Sequence, residues 1–453
     1  MFARRILACA PALVALQLAG CVSASPAEKT AREQVTQIGR NLPSAARQPA
    51  LPALPAGASL VDFARYAMLN HPSVAGAYHD WRATVEAITP ARALPDPKFT
   101  FEADIADTLM TFMPGLMFDF MAPGKRAAMG REATAASQVS YRAYVATVLR
   151  TAAGVRKGWI DLAYLDEAVR LRETSLAAVD QAAAVAQADY TTGRGMSTLE
   201  NQVRLANESA RLRSELAALN DRLTAARHVF KSALGLFPAD PDSAWPQAAL
   251  TATALPTEEE LWRRIQESNP GLAQMRAMVE MALAGVEVAR KAGTPDFSLG
   301  LMADLRAAPL MLRPTATVNL PVWRGKIAAI LAGAEARREA ATARVSAEQL
   351  NLATELAQML SMVRESDRMI AYIDGTALPN YERTIATIEA GYQSGMAGLA
   401  MIPETRLMAL GMQLERATAL HDRENAVTNL LLMIAAVAPA DSPLLAETTV
   451  VQP

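Results

Sequence analysis

The feature that most constrains how this chain can fold is that its plan is written twice. The stretch LNHPSVAGAYHDWRATVEAITPARALPDPKFTFEAD from Leu69 has a counterpart in ESNPGLAQMRAMVEMALAGVEVARKAGTPDFSLGLMAD from Glu267. Pro72 falls beside Pro270, and Pro95-Asp96 beside Pro295-Asp296. FDFMAPGKRAAM from Phe118 parallels VNLPVWRGKIAA from Val318, which sets Gly124-Lys125 beside Gly325-Lys326. Tyr190 and Gly193 of ADYTTGRGM answer Tyr392 and Gly395 of AGYQSGM. Four landmarks kept in order at a nearly constant shift of about 200 residues are the mark of a duplicated structural unit.

Within each copy the pattern reads helix, two strands, long helix, tight turn, return helix. Residues 58–92 and 258–292 carry apolar positions at spacings of three and four and end at the Pro-Asp pairs. KFTFEADIA and LMFDFMA, then FSLGLMADL and TATVNLPVW, alternate with aromatic content and are bounded by Pro or Gly. They predict two hairpins, with strands at about 97–122 and 296–323, and the first hairpin's loop around Pro114-Gly115. From Gly124-Lys125 to the turn at Tyr190, helical periodicity continues over a length that gives about 100 Å of helix. In the second copy Pro379 follows Gly375 inside the long segment and predicts a kink. Only 5% of residues are aromatic, and alanine dominates the apolar half. The expected fold class is therefore mainly α with a small β part, built as duplicated helix-strand-strand-helix repeats.

The N-terminus MFARRILACAPALVALQLAGC has two arginines, an apolar run and small residues leading into Cys21, the pattern of an export signal. Leu18-Ala19-Gly20-Cys21 resembles the bacterial lipobox, so Cys21 is the expected lipidation site and the mature chain's only thiol. Val22 follows that cysteine where an inner-membrane retention signal has aspartate, which favours the outer membrane. The chain thus divides into a signal peptide at 1–20, an acylated extended segment at 21–57, repeats at 58–236 and 258–438, a proline-rich connector at 237–257, and a disordered tail at 439–453.

Several function classes are disfavoured. A formal charge of -2 with 20% charged residues gives no electrostatic case for nucleic acid. His-Glu-x-x-His, Gly-x-Ser-x-Gly and Walker motifs are absent, and His71, His79, His228 and His421 are scattered, so neither an enzyme nor a cofactor is expected. LMTFMPGLMFDFMAPGKRAAM, residues 109–129, concentrates five methionines. Met110, Met113 and Met117 near the expected loop are candidate soft donors for a metal such as Cu(I) or Ag(I), with apolar loop or lipid-facing surface as the alternative.

Four strands cannot close a spanning barrel, since bacterial barrels start at about 8 strands. If these strands cross a membrane the barrel is shared between copies; a soluble β cap on a helical protein has the same pattern. Taken together, the lipobox, the duplicated plan, the NHPSV and ALPDP motifs, the PGKR bend and the two Tyr-x-x-Gly turns resemble the TolC family of outer-membrane efflux factors over about residues 58–438. PGKR after an aromatic, methionine-bearing strand is most similar to that family's heavy-metal branch, the CusC and CzcC type.

The resemblance implies a homotrimer whose subunits each give four strands to a twelve-stranded barrel, continued by a helical coiled-coil tunnel. It implies a passive exit duct, lipid-anchored in the outer membrane and extending into the periplasm, working with a periplasmic adaptor and an inner-membrane resistance-nodulation-division (RND) pump. It places the adaptor-docking tip at Tyr190, Gly193, Gly195, Met196, Tyr392, Gly395 and Met396. It places a pore gate at Glu404, although Met401 stands where family members often carry a first acidic residue; a solvated glutamate near a helix start set by Pro403 is the alternative. Pro123, Gly124 and Lys125 form one strand-to-helix bend, and Gly325 and Lys326 the other. A metal-cation substrate is favoured, while multidrug or type I secretion partners and a non-conducting envelope lipoprotein stay open.

Overall fold

The structure is a computed structural model that describes residues 24–42, 58–105, 109–192, 199–240, 245, 250–393, 401–439, 442 and 444–445. The element order repeats as expected. In the first copy, helices α1 (Pro26–Gly39), α2 (Leu60–Asn70), α3 (Pro72–Glu86) and α4 (Ile88–Arg92) precede strands β1 (Lys98–Ile105) and β2 (Leu109–Phe120). Helices α5 (Lys125–Thr192) and α6 (Leu199–Ala233) then complete it. In the second, α7 (Glu258–Ser268), α8 (Pro270–Arg290), β3 (Asp296–Asp304), β4 (Met311–Asn319) and α9 (Arg324–Tyr372) follow in the same order. A π-helical turn at Ile373–Ala377 joins α9 to α10 (Leu378–Gln393), and α11 (Met401–Met433) is the return helix.

Local chemistry explains the breaks. Pro72 and Pro270 each open a helix directly after the previous one ends, at the first position where a missing N–H is harmless. Ser59 caps α2 reciprocally with Asp62, whose carboxylate accepts from the Ser59 N–H at 2.9 Å. The kink expected at Pro379 is a π turn: the wider hydrogen-bond ring just before Pro379 lets the axis continue. Asp374 in that turn is held by Arg416 of α11 at 2.6 Å. Helices α6 and α11 end alike, on Gly235 at φ 82° and Ala435 at φ 57°. The N–H of Leu236 reaches back to the Lys231 carbonyl at 2.9 Å and that of Ala436 to Leu431 at 2.8 Å, the Schellman arrangement that satisfies carbonyls left over at a helix end.

The chain forms two compact units. The first comprises Met1–Gly39, Ala77–Tyr144 and Gly271–Ala347. It holds the four-stranded antiparallel sheet, in the order β1-β2-β3-β4. Its helical part centres on Trp81, buried against Tyr141 and Tyr144 with ring centroids 5.0 and 5.7 Å away. Here α1 corrects the expectation of an extended segment after Cys21. Its Ala31, Val35 and Ile38 are buried, the Val35 carbonyl accepts from the Tyr78 hydroxyl at 3.0 Å, and Glu28 is buried between Arg32 and Arg92. Apolar positions at spacings of three and four thus find a packing partner that the polar, proline-flanked sequence did not advertise.

The second unit comprises Arg40–Gly76, Val145–Pro270 and Glu348–Pro453. Phe63, Phe230 and Trp159 meet edge to face in its core, and Gly158 lets α5 pass close to Phe230. Farther along, Val179, Ala182 and Ala186 of α5 interlock with Leu205 and Leu212 of α6, a seam at coiled-coil spacing. At the C-terminal end Leu444 and Leu445 are buried, so these two positions depart from the expected disordered tail.

Candidate functional site

The sheet is the part of the chain suited to building a wall. Each hairpin keeps the same register, with Thr100 opposite Gly115 in the first and Gly300 opposite Thr315 in the second, about 200 residues on. The glycines have a steric reason: a Cβ at Gly115 meets the Met302 side chain at 2.6 Å, and one at Gly300 meets the Thr315 hydroxyl at 2.5 Å. Pro114 and Pro314 also correspond. Pro114 lies one residue beyond the last β2–β3 pair, Gly115 with Met302, and Pro314 lies on the edge strand β4, places where a lost N–H breaks no ladder.

The first hairpin corrects the sequence-based placement of its loop. Residues Pro114-Gly115 sit in the middle of β2, opposite Phe101 and Thr100; β1 ends at Ile105 and β2 begins at Leu109, and 106–108 lie outside the described residues. The methionines are redistributed accordingly. Met113 is only 2% exposed and pairs across the strands with Glu102. Met117 is half-buried opposite Lys98, and Met110 falls at the register irregularity where Asp104 pairs with Thr111 and Ile105 with Leu109. At about 3.3 Å per residue, Met113 and Met117 lie about 13 Å apart along one strand, too far to share an ion. The three do not form one thioether site. Among the described residues no group of three His, Cys, Asp or Glu side chains is placed to hold a metal, and no helix is long and apolar enough to cross a membrane.

The first strand-to-helix bend is built by the residues the sequence singles out. Pro123 leads into Gly124 at φ 81°, a conformation open to glycine, and the Lys125 N–H closes the turn on the Ala122 carbonyl at 3.1 Å. Lys125 then donates to Asp296 at 2.6 Å, while the other oxygen of Asp296 accepts from the Ala122 N–H at 2.8 Å. One carboxylate, from the Pro-Asp landmark of the second copy, therefore pins the bend of the first. Alongside, Asp119 accepts from Ser298 at 2.6 Å and pairs with Lys98 at 2.7 Å, and Phe120 stacks on Phe297 at 5.3 Å. The second bend departs from expectation. Gly325 and Lys326 lie within the first turn of α9, and the reversal is made earlier, by turns from Leu320 to Val322 and from Val322 to Arg324. Such three-residue turns need no positive φ, so glycine there is not a conformational requirement.

At the other end of the long helices, Tyr190 is exposed near the end of α5, and Tyr392 lies in the last turn of α10. Gly193, Gly195, Met196, Gly395 and Met396 lie outside the described residues, as does Cys21. Glu404 stands in the first turn of α11, where a carboxylate suits the helix dipole, and it is ion-paired with Arg204 of α6. Arg204 is a partner that sequence reasoning missed, because nothing in the local sequence shows which residue of the first copy faces α11.

Two further polar sites were also missed. Glu424 is 2% exposed and accepts from Arg423 at 2.6 Å, Arg156 at 3.2 Å, and the N–H and hydroxyl of Thr253 at 2.9 and 2.6 Å. His421 lies between Asp161 at 2.7 Å and Asp422 at 3.0 Å. Burial lowers its pKa, but the two carboxylates outweigh burial and hold it above the ordinary histidine value. His71 shows the opposite balance: burial depresses it, and the Ser232 backbone acceptor offsets this only in part.

Residues 261–436 match the family described as outer membrane efflux protein. No match was found among curated proteins. Among solved structures, the chain is similar to CusC, described as undergoing conformational changes on folding and transmembrane channel formation, with TM-score 0.70 and 16% identity over 86% of this chain and 95% of that one. It is similar to the outer membrane protein VceC from Vibrio cholerae, with TM-score 0.68 and 17% identity over 83% of this chain and 95% of that one. It is also similar to the outer-membrane channel OprN, with TM-score 0.71 and 15% identity over 86% and 93%. The chain therefore carries the fold of solved outer-membrane channels, and its second repeat matches the outer membrane efflux protein family.

Proposed function

We propose that this chain is the outer-membrane channel of a tripartite efflux system, a passive duct for substrates delivered by an inner-membrane RND pump through a periplasmic adaptor. The observation that carries the reading is the four-stranded sheet with two unpaired edges, β1 and β4, on a chain with a channel fold. Open edges are not tolerated in hydrocarbon, so a spanning wall has to close on other copies. Three copies give twelve strands, enough for a closed barrel. Lipidation at Cys21 anchors each copy to the outer membrane. We assign Tyr190, Gly193, Gly195, Met196, Tyr392, Gly395 and Met396 to the part of the chain that meets the adaptor.

In this reading Glu404 lines the constriction together with Arg204, so the three-fold ring consists of ion pairs and not of bare carboxylates. The substrate we assign is a metal cation, with copper or silver favoured. Its support is the similarity of the PGKR bend to the heavy-metal branch together with soft thioethers on the chain. The dispersed positions of Met113 and Met117 favour a duct that conducts without holding the ion. Mass measurement in detergent together with planar-bilayer conductance tests the channel. A conducting trimer is expected, and a monomeric, non-conducting product refutes it. A deletion strain challenged with copper, silver, zinc, cobalt and common drugs tests the substrate. Loss of copper or silver tolerance is expected, and sensitivity to drugs alone reassigns the duct to multidrug export.

A further inference from the structure

The two copies of the repeat meet inside one chain at a defined joint. Within the chain that joint has three parts: the β2–β3 ladder, the Phe120–Phe297 stack, and the clamp in which Asp296 takes Lys125 and the Ala122 N–H. The repeat supplies a second set of the two charged groups, while the stack has no aromatic counterpart, since Pro97 and Leu320 stand where Phe297 and Phe120 do. Asp96 stands two residues before β1 and its counterpart Asp296 is the first residue of β3, while Lys326 lies in the first turn of α9 and its counterpart Lys125 opens α5. Inside one chain this second set is not joined. Asp96 and Lys326 are both exposed, on opposite edges of the sheet, and neither forms an ion pair among the described residues. Two groups of opposite charge thus flank two open ladders, β1 and β4.

We propose that Lys326 of one copy clamps Asp96 of the next, and that β4 pairs with the neighbour's β1 in the register that β2 keeps with β3. This rests on the multi-copy channel reading above and adds to it the residues and the register. The shift of about 200 residues that relates the two hairpins converts the observed pair Met117 and Gly300 into Thr317 facing the neighbour's Thr100. It likewise converts Phe118 and Leu299 into Val318 facing the neighbour's Phe99. The surface is consistent in character, since Phe99, Phe101, Val318 and Leu320 are exposed on the two edges. Charge complementarity and an unused ladder together select a second copy of this chain as the occupant. A lipid surface satisfies neither the ladder nor both signs of charge.

The test uses the full chain purified in detergent. Asp96→Lys and Lys326→Asp each place like charges at the joint, and each is expected to abolish most of the trimer seen by native mass measurement. The double swap, Asp96→Lys with Lys326→Asp, is expected to restore it, which a purely local folding defect does not do. Independently, Thr100→Cys with Thr317→Cys is expected to give a covalent ladder of copies on oxidation. Glu102→Cys with Thr317→Cys, out of register by two residues, and each single cysteine variant are expected to give none. If the unsubstituted chain is a conducting trimer, yet the double swap restores nothing and the Thr100/Thr317 pair stays unlinked, the proposed joint is wrong while the channel stands. If the unsubstituted chain is monomeric, both readings fall.

Discussion

Replacing Glu424 with alanine is expected to be among the most damaging single changes in the helical unit. Its carboxylate is almost fully buried and receives four donors, two from guanidinium groups and two from Thr253. Hydrogen bonds to charged groups contribute about 1.5–3 kcal/mol each. Arg423, whose side chain is 9% exposed, keeps Asp367 as a second partner at 2.6 Å, whereas Arg156, 20% exposed, is left with Thr428 and Thr253 hydroxyls. Removing one member of such a buried pair strands the other charges, so Glu424→Ala should cost about 3–5 kcal/mol. Glu424→Gln retains acceptor and shape but not charge and should fall between the alanine variant and the parent. Urea titration in detergent, followed by circular dichroism at 222 nm, measures both. A double-mutant cycle with Arg156→Met should return a coupling of about 1–2 kcal/mol. An alanine variant within 1 kcal/mol of the parent, or a coupling near zero, refutes the assignment of Glu424 as the charge that ties α5, α11 and the connector together.

Three other outcomes follow from the same geometry. Gly235→Ala forces a side chain into the left-handed region with its Cβ 2.9 Å from the His71 backbone, and should destabilise by about 2–3 kcal/mol. Ala435→Gly, at the matching helix end, trades relief of that conformation against a lost buried methyl and should stay within about 1 kcal/mol of the parent. Both are read from urea midpoints. The two histidines give pH dependences of opposite sign. His421 is raised in the folded state, so its contribution is complete below about pH 6.5 and is lost as pH rises through the folded value. His71 is lowered, so its contribution is present above about pH 6.5 and is lost as pH falls through the folded value. Melting of His421→Gln and His71→Asn from pH 5 to 9 should therefore show the parent's advantage shrinking toward alkali for the first and toward acid for the second. Finally, Arg204→Ala should unmask the Glu404 carboxylate and increase cation block in bilayers, and Glu404→Ala should remove that block. Unchanged conductance in both removes the pair from the constriction.

Much of the architecture was legible because a duplication carries its own check. The Pro72 and Pro270 helix starts, the two hairpins and the long helix from Lys125 each appear twice in the sequence and twice in the structure. A pattern seen once can be chance, but a shared shift cannot be produced independently at each landmark. Where a residue type was read without its place in the ladder or turn, sequence reasoning lost precision. Pro114-Gly115 reads as a turn from composition alone, yet one residue beyond the β2–β3 ladder a proline fits inside a strand. Gly325 reads as a bend by analogy with Gly124, yet turns between Leu320 and Arg324 reverse the chain before it. Helix α1 was missed because its apolar stripe is short and flanked by proline-rich sequence, and only packing against Tyr78 and Arg92 gives it a buried face.

By itself, then, the sequence determined what is encoded locally or by repetition: the periodicities, the helix starts, the glycine at φ 81° and the doubled order of elements. Tertiary structure alone decided which charges meet. Lys125 with Asp296, Arg204 with Glu404, and Glu424 with Arg156 and Thr253 join residues far apart in the chain. Such pairings carry no local signature, because a carboxylate's partner is set by the register of helices and strands brought together on folding and not by its neighbours in sequence.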